Sequence, residues 1–329
     1  MRTTPLPKRP DVRLTAIGMG GAQAGNLGEE RSDDVVRETV EAAWAAGVRY
    51  VDTAPHYGLG LSERRLGALL RERPRGEVVV STKVGRLLVP SPETADRRDL
   101  DGFDVPADHR RVWDLTRDGI RRSIEDSLAR TGLDRIDIAL LHDPEDRMDQ
   151  AVAEAVPALV ELREEGVVRA VGAGMNFSHH LARIVRESDV DVVLCAGRYT
   201  LLDHSALADL MPAALEHRVG VVVGGVYNSG ILAVEDPGTD ATFDYTRAPA
   251  EVLERARAIA RLCREHGVTL PEAALAFVAA HPAVVSTVVG MRHADDARDA
   301  AARASADVPA ALWQDLRDAG LLPEDAPTP

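Results

Sequence analysis

Four ionisable residues fall where short apolar, β-branched runs end. Asp52 lies in Tyr50-Val51-Asp52-Thr53-Ala54, Lys83 in Val80-Ser81-Thr82-Lys83-Val84, and His142 closes Ala139-Leu140-Leu141-His142. Tyr57 follows Asp52 in the adjoining loop, Pro55-His56-Tyr57-Gly58. These types fit together as proton chemistry. A phenol, with an ordinary pKa of about 10, is a poor acid or base at neutral pH. A neighbouring ammonium stabilises the phenolate and is expected to lower that pKa. A carboxylate beside the ammonium keeps it charged and oriented, and an imidazole can orient a substrate oxygen by hydrogen bonding. Together they would move a proton on and off a carbonyl or hydroxyl oxygen. No metal is required, and no metal-ligand cluster is visible: His179 and His180 are adjacent, so on a helix they point different ways. Singly, each residue has a plainer reading: a rim ion pair for Asp52 and Lys83, a satisfied strand-end imidazole for His142, a tyrosine packed on Pro55 for Tyr57. All four at or beside successive strand ends are much harder to ascribe to accident.

Lys83 also stands out by composition. Of 39 basic residues, 37 are Arg and two are Lys, Lys8 and Lys83. Lys8 sits among Pro and Arg near the N-terminus and is expected to be solvated. Lys83 lies in an apolar strand, where a compact ammonium fits and a planar, fork-shaped guanidinium does not.

The elements that would hold these residues follow from hydrophobic periodicity. Continuous apolar runs, as expected of strands buried on both faces, occur at 14–19, 50–54, 78–84, 136–142, 170–174, 190–196, 220–226 and 284–291. Helical patterns separate them at 35–46, 62–70, 116–130, 151–165, 179–187, 205–217, 250–266 and 271–280, with two further helices at 294–304 and 310–319. Eight alternating strands and helices predict an α/β fold, a (β/α)8 TIM barrel, as one domain over 1–329 with extra C-terminal helices. A doubly wound open sheet is the alternative. Against it, Gly18, Gly20 and Gly21 lead into a loop, not into a helix-opening G-x-G-x-x-G. The segment 86–113, after the third strand, lacks periodicity and reads as a long loop over the active face. The tail 323–329 is expected to fray.

Net charge is −14, from 53 acidic and 39 basic residues, which argues against nucleic acid or an anionic membrane as partner. A small-molecule substrate is the expected partner. Hydrophobic residues make up 45% and charged residues 28%, ordinary values for a folded chain. Cys195 and Cys263 are far apart in apolar patterns, as for buried thiols in a reducing cytoplasm. The opening stretch lacks an apolar h-region and no apolar run is long enough to span a bilayer, so neither signal peptide nor membrane helix is expected.

With these residues in place, the sequence resembles the aldo-keto reductases. The matching motifs are Asp52-Thr53-Ala54-Pro55-His56-Tyr57-Gly58, Ser62-Glu63, Leu66-Gly67, Ser81-Thr82-Lys83-Val84 and Leu133-Asp134-Arg135-Ile136-Asp137 leading to Leu140-Leu141-His142. The resemblance implies Tyr57 as general acid/base, Lys83 and Asp52 as its tuning pair, His142 as the substrate-orienting group, and NAD or NADP as hydride carrier. Within the family the chain is most similar to the D-threo-aldose (L-fucose) dehydrogenase branch, which pyridoxal 4-dehydrogenases also resemble. Gly58–Gly67, His142-Asp143-Pro144, Ala196–Asp203 and Asn228-Ser229-Gly230-Ile231-Leu232 carry that likeness.

The cofactor contacts implied are Asn176, Tyr227, Ser229, Gly230, Gly290, Arg292 and Asp296. Of the family's usual Ser-Asn pair after the fifth strand only Asn176 is represented, its usual Gln falls at Ala196, and its nicotinamide-stacking aromatic falls near Gly224 or Gly225, with Tyr227 a few residues on. Gly290 and the helix start after it suit a phosphate. Asp295 and Asp296, where a cation for a 2′-phosphate is often found, favour NAD, unless they merely cap the helix. His56 and Trp113 are the implied substrate contacts, with the Asp- and Arg-rich 86–113 segment reaching sugar hydroxyls. The activity implied is oxidation of an aldose at C1 to its lactone. Pyridoxal oxidation and aldehyde or ketone reduction are the enzymatic alternatives. A non-catalytic cofactor-binding regulatory subunit is another class, and a lyase or isomerase with a Schiff base on Lys83 a third.

Overall fold

In the computed structural model, which describes residues 1–329, each of the eight apolar runs overlaps a strand of one closed parallel barrel. The strands are β1 (Ile17–Gly20), β2 (Tyr50–Asp52), β3 (Val79–Val84), β4 (Ile138–His142), β5 (Ala170–Met175), β6 (Val192–Ala196), β7 (Gly220–Gly224) and β8 (Val284–Gly290). Each pairs with the next, and β8 pairs with β1, so the sheet has no edge and the open-sheet alternative is excluded.

Ten helices of seven residues or more accompany them: α1 (Asp33–Ala45), α2 (Leu61–Leu70), α3 (Arg117–Thr131), α4 (Val156–Glu164), α5 (Ser178–Glu187), α6 (Leu210–Glu216), α7 (Ala250–Glu265), α8 (Leu270–Ala280), α9 (Ala294–Arg303) and α10 (Ala310–Asp318). Their ends follow local chemistry. Ser32 caps α1 by accepting from Val35 N–H, and Thr269 and Glu272 form a capping box on α8. Gly132 ends α3 in the left-handed region at φ 63°. Gly67, inside α2, serves packing: a Cβ there would lie 2.2 Å from the Thr131 carbonyl oxygen, so only glycine lets α2 approach the end of α3.

The barrel interior and its outer layer form two cores. Outside, strands meet helices in a large aliphatic cluster. Inside, Tyr50, Val79, Ile138, Leu140, Val192, Val222 and Val285 pack with Leu6, Val12 and Leu14. Those last three come from an N-terminal antiparallel hairpin, Thr3–Pro5 with Arg13–Thr15, which plugs the N-terminal end of the barrel. Two buried carboxylates fasten that end. Asp137 accepts from Val80 N–H, Arg75 and Arg169, and Asp191 accepts from Val171 N–H, Arg163 and Arg9.

Four expectations change. Lys8 is only partly solvated: its ammonium donates to Val190 O at 2.8 Å and Asp189 Oδ1 at 3.2 Å. The 86–113 segment is not a bare loop but a rim hairpin, Arg86–Pro90 antiparallel to His109–Trp113. Its charges mostly face one another: Arg111 pairs with Asp99 and Asp101, and Arg98 with Asp104. The tail is held down, with Ala326 buried and Arg317 bonded to Ala326 O and Thr328 Oγ1. The helix expected over 151–165 opens with a π-helical stretch, Ala151–Ala155, that ends two residues before Pro157. Proline has no N–H to donate, and such widened turns accommodate the break in the ladder.

If the N-terminal plug is part of the core, Leu14→Ala should destabilise the fold by about 2–5 kcal/mol. Urea unfolding measures this; a loss below about 0.5 kcal/mol, as at a surface site, overturns the plug's role.

Candidate active site

The four residues singled out by type converge at the C-terminal mouth of the barrel. Adjacent pairing of β2 and β3 sets Asp52 opposite Ser81 and brings Lys83 across to it. The Lys83 ammonium donates to both Asp52 oxygens, at 2.6 and 2.7 Å, and to Thr53 O at 3.1 Å. Both side chains are almost fully buried, at 2% and 3% exposure, so the charges meet in a low-dielectric setting. Ser81 Oγ donates to Asp52 Oδ1 at 2.6 Å and lies 3.0 Å from the Tyr50 phenol.

A second layer fixes the strand ends. Ser62 Oγ donates to Gly21 O and lies 2.7 Å from Thr53 Oγ1, joining α2 to the ends of β1 and β2. Glu63, fully buried, accepts from Thr82 Oγ1 at 2.7 Å and from Arg130 Nε. The Ser62-Glu63 motif is thus scaffolding beneath the site.

Tyr57 and His142 face each other with ring centroids 5.9 Å apart, and His56 lies 5.4 Å from His142. Phe103, from the rim hairpin's loop, packs 5.9 Å from Tyr57 and 5.5 Å from His56. Arg111 of the same hairpin donates to His56 O at 2.8 Å, clamping the loop that carries Tyr57. Burial, then the charge of Lys83, pushes His142 well below the usual imidazole range. Burial, followed by Arg111 and Arg86, takes His56 down to about 3. Both imidazoles are therefore neutral at pH 7, each with one donor and one acceptor nitrogen.

Tyr57 departs from expectation. Burial, followed by the Asp52 charge, raises its phenol well above the ordinary value. The Lys83 ammonium is turned toward the Asp52 carboxylate and lies 5.5 Å from the Tyr57 ring centroid, so it does not lower the phenol in this arrangement. The phenol is protonated at neutral pH, ready to donate.

Beside Tyr57 opens a cavity of about 220 Å³. Asp52 and Tyr57 form one wall, and Gly20, Gly21, Gly197, Gly224, Gly225 and Gly290 expose bare backbone around it. Asn228 Oδ1 and Gln23 Oε1, of two lining residues, are buried without a hydrogen-bond partner. Glycine walls with orphaned acceptors suit a flat amide-bearing ring, so the residues present fit a nicotinamide cofactor.

The sequence-derived contacts divide. Asn176, Ser229 and Gly290 line the cavity; Tyr227, Gly230, Arg292 and Asp296 do not. Tyr227 packs against the outer core, because the chain turns away after Gly225. Besides Tyr57, the aromatic at the cavity is Tyr245, in the turn of the hairpin Thr242–Phe243 with Thr246–Arg247, which sequence reading missed because the connecting segment has no period. Its backbone N–H donates to Ser229 Oγ. Asp296 is consumed as a cap, its Oδ2 accepting from the backbone N–H groups of Arg292 (2.7 Å) and His293 (3.2 Å). Asp295 pairs with Arg298. His56 and Trp113 lie outside the cavity, and Trp113 has Arg86 and Arg147 against its ring, at 4.6 and 5.3 Å from the centroid. No three His, Cys, Asp or Glu side chains converge as a metal site, and no helix is long and apolar enough to cross a membrane.

Comparison with known proteins bears on this arrangement. The model of the Aldo/keto reductase family matches residues 16–319. A D-threo-aldose 1-dehydrogenase of Pseudomonas sp is 48% identical over 324 residues, covering 98% of both chains. A pyridoxal 4-dehydrogenase of Microbacterium luteolum is 36% identical, covering 95% of this chain and 96% of that one. Among solved structures, the holo form of aldo-keto reductase AKR11C1 from Bacillus halodurans superposes with a TM-score of 0.74 at 25% identity, covering 97% and 96% of the two chains.

The Lys83–Asp52 contact generates a sharp expectation. Lys83→Arg keeps the charge but cannot place it in the same space, and should lower kcat on the order of 100-fold. Steady-state kinetics measure this; a variant within a few-fold of the parent shows that only the charge matters.

Proposed function

The chain belongs to the aldo/keto reductase family, an NAD(P)-dependent oxidoreductase by that membership, and we propose that it oxidises the C1 hydroxyl of a cyclic aldose to the lactone. The observation that carries this reading is the buried Asp52–Lys83 pair beside Tyr57, with His142 facing the same phenol. His142, neutral, hydrogen-bonds the C1 oxygen and holds it near Tyr57. A bound nicotinamide would supply the acceptor for the hydride released from C1. Asn176, Ser229, Gly290, Asn228 and Gln23 are the residues that would hold it. Tyr57 Oη takes the proton of the C1 hydroxyl, which requires the ionised fraction of a phenol held protonated by burial and by Asp52. The same protonated phenol is the donor for carbonyl reduction, the reverse reaction.

The 48% identity to an aldose 1-dehydrogenase over nearly the full chain supports the aldose as substrate class. The second reading is pyridoxal, supported by the 36% identical relative. Its cyclic hemiacetal also becomes a lactone, so the same four residues would serve. Absorbance of NADH with L-fucose, D-arabinose, L-galactose, D-glucose, pyridoxal and simple aldehydes separates them. An aldose should give the highest kcat/KM. Tyr57→Phe should lower kcat by about 10²- to 10⁴-fold while leaving cofactor affinity nearly unchanged. Turnover of no aldose overturns the substrate class, and undiminished turnover by the variant overturns the assignment of Tyr57.

NAD is the preferred cofactor in this reading. The Asp296 carboxylate sits on the amides of Arg292 and His293, and a 2′-phosphate there would have to displace it and face its charge. The kcat/KM with NAD should exceed that with NADP by about 10-fold or more, the equivalent of one unfavourable interaction of about 1.4 kcal/mol; the reverse order overturns the preference.

A further inference from the structure

Beside His142 stands a carboxylate that the proton chemistry does not use. Asp143 follows the last residue of β4 and adopts φ 42°, in the left-handed region that Asp tolerates better than most residues. Its N–H donates to Gly174 O at 3.0 Å, prolonging the β4–β5 ladder by one bond. Successive side chains on a regular strand point to opposite faces. Here the left-handed turn brings the Asp143 side chain to the same side as its neighbour, with Oδ2 3.5 Å from His142 Nε2.

The other partner of Asp143 is Arg86, the first residue of the rim hairpin, with Nη2 3.3 Å from Oδ2 and 3.4 Å from the backbone oxygen. The Arg86 guanidinium lies 4.6 Å from the Trp113 ring centroid, which fixes its position. This is a loose, single-atom contact. In the same hairpin Arg111 and Asp99 meet through two short bonds of 2.7 and 2.8 Å, as a pair built only for structure does. An ionised carboxylate offers about four acceptor sites, and most of those on Asp143 are unused. The side chain is 32% exposed, so a ligand can reach it. Burial, then the charge of Glu145, pushes its carboxyl up to about 6, so at neutral pH it is largely ionised and would gain from a hydroxyl donor.

We infer that Asp143 is a specificity-determining residue: its carboxylate, steadied by Arg86, accepts a hydrogen bond from a substrate hydroxyl on the carbon next to the reacting one. The placement follows from the chain's own geometry. His142 holds the reacting oxygen, and the carboxylate stands beside the nitrogen that would hold it. A group bound to both must present oxygens on neighbouring carbons. The site thereby selects polyhydroxylated substrates over simple aldehydes or deoxygenated sugars. This rests on the aldose reading above.

The test compares an aldose that the parent enzyme oxidises with its 2-deoxy analogue, in the parent, Asp143→Asn and Asp143→Ala. Loss of a hydrogen bond to a charged group should lower kcat/KM for the aldose by about 10- to 100-fold in Asp143→Ala, chiefly through KM, with Asp143→Asn in between. The 2-deoxy analogue should start lower in the parent and lose far less on substitution. Equal losses on both substrates, or a loss confined to kcat, mean that Asp143 acts only by positioning His142 and overturn the inference. Retained cofactor fluorescence quenching by both variants confirms that they are folded. A parent enzyme that oxidises no aldose overturns the aldose reading and this one with it.

Discussion

The mouth of the barrel is organised around one buried ammonium–carboxylate contact. Lys83 and Asp52 are both withdrawn from water, and such desolvation is costly unless the remaining donors and acceptors are satisfied. Here they are satisfied in series: the Thr53 carbonyl takes a Lys83 proton, Ser81 donates to Asp52, and the Tyr50 phenol lies against Ser81. Removing Lys83 or Asp52 alone would leave an unpaired buried charge, at a cost of about 3–5 kcal/mol. That constraint explains why β2 and β3 must keep their register, and why Glu63, Ser62 and Arg130 tie those strand ends to α2 and α3.

The two ends of the barrel solve different problems. At the N-terminal end, Asp137 and Asp191 are saturated by arginines and backbone amides, and an apolar hairpin closes the interior. There the two carboxylates are taken up by protein donors. At the C-terminal end, orphaned acceptors at Gln23 and Asn228 and a loosely paired Asp143 remain. The two orphaned acceptors line the cavity, where a cofactor amide could complete them.

Tyr57 stands between two environments. On one side lies a glycine-walled cavity; on the other lie His142, His56 and, beyond His142, Asp143 with Arg86. Arg86 is the rim hairpin's charge on that second side, while Arg111, Asp99 and Asp101 are paired with one another. Phe103 and Arg111 instead brace the Tyr57 loop from behind.

Much of this was legible in the chain alone. All eight barrel strands, most of the helices, and the grouping of Asp52, Lys83 and His142 at strand ends rest on local periodicity and residue type. Those are properties of a few neighbouring residues, and a closed parallel barrel converts strand-end position directly into proximity. What only the tertiary structure decided depends on backbone turns and distant partners. Asp143 turns inward because of one left-handed residue, Tyr227 turns outward after Gly225 while Tyr245 arrives from a hairpin, and Asp296 occupies amides that a phosphate could otherwise take. The phenol of Tyr57 is raised by its burial and by the Asp52 charge, while Lys83 turns its ammonium to Asp52. Sequence specifies which groups are present near the site; the direction in which each spends its hydrogen bonds is set by the packed arrangement of all of them.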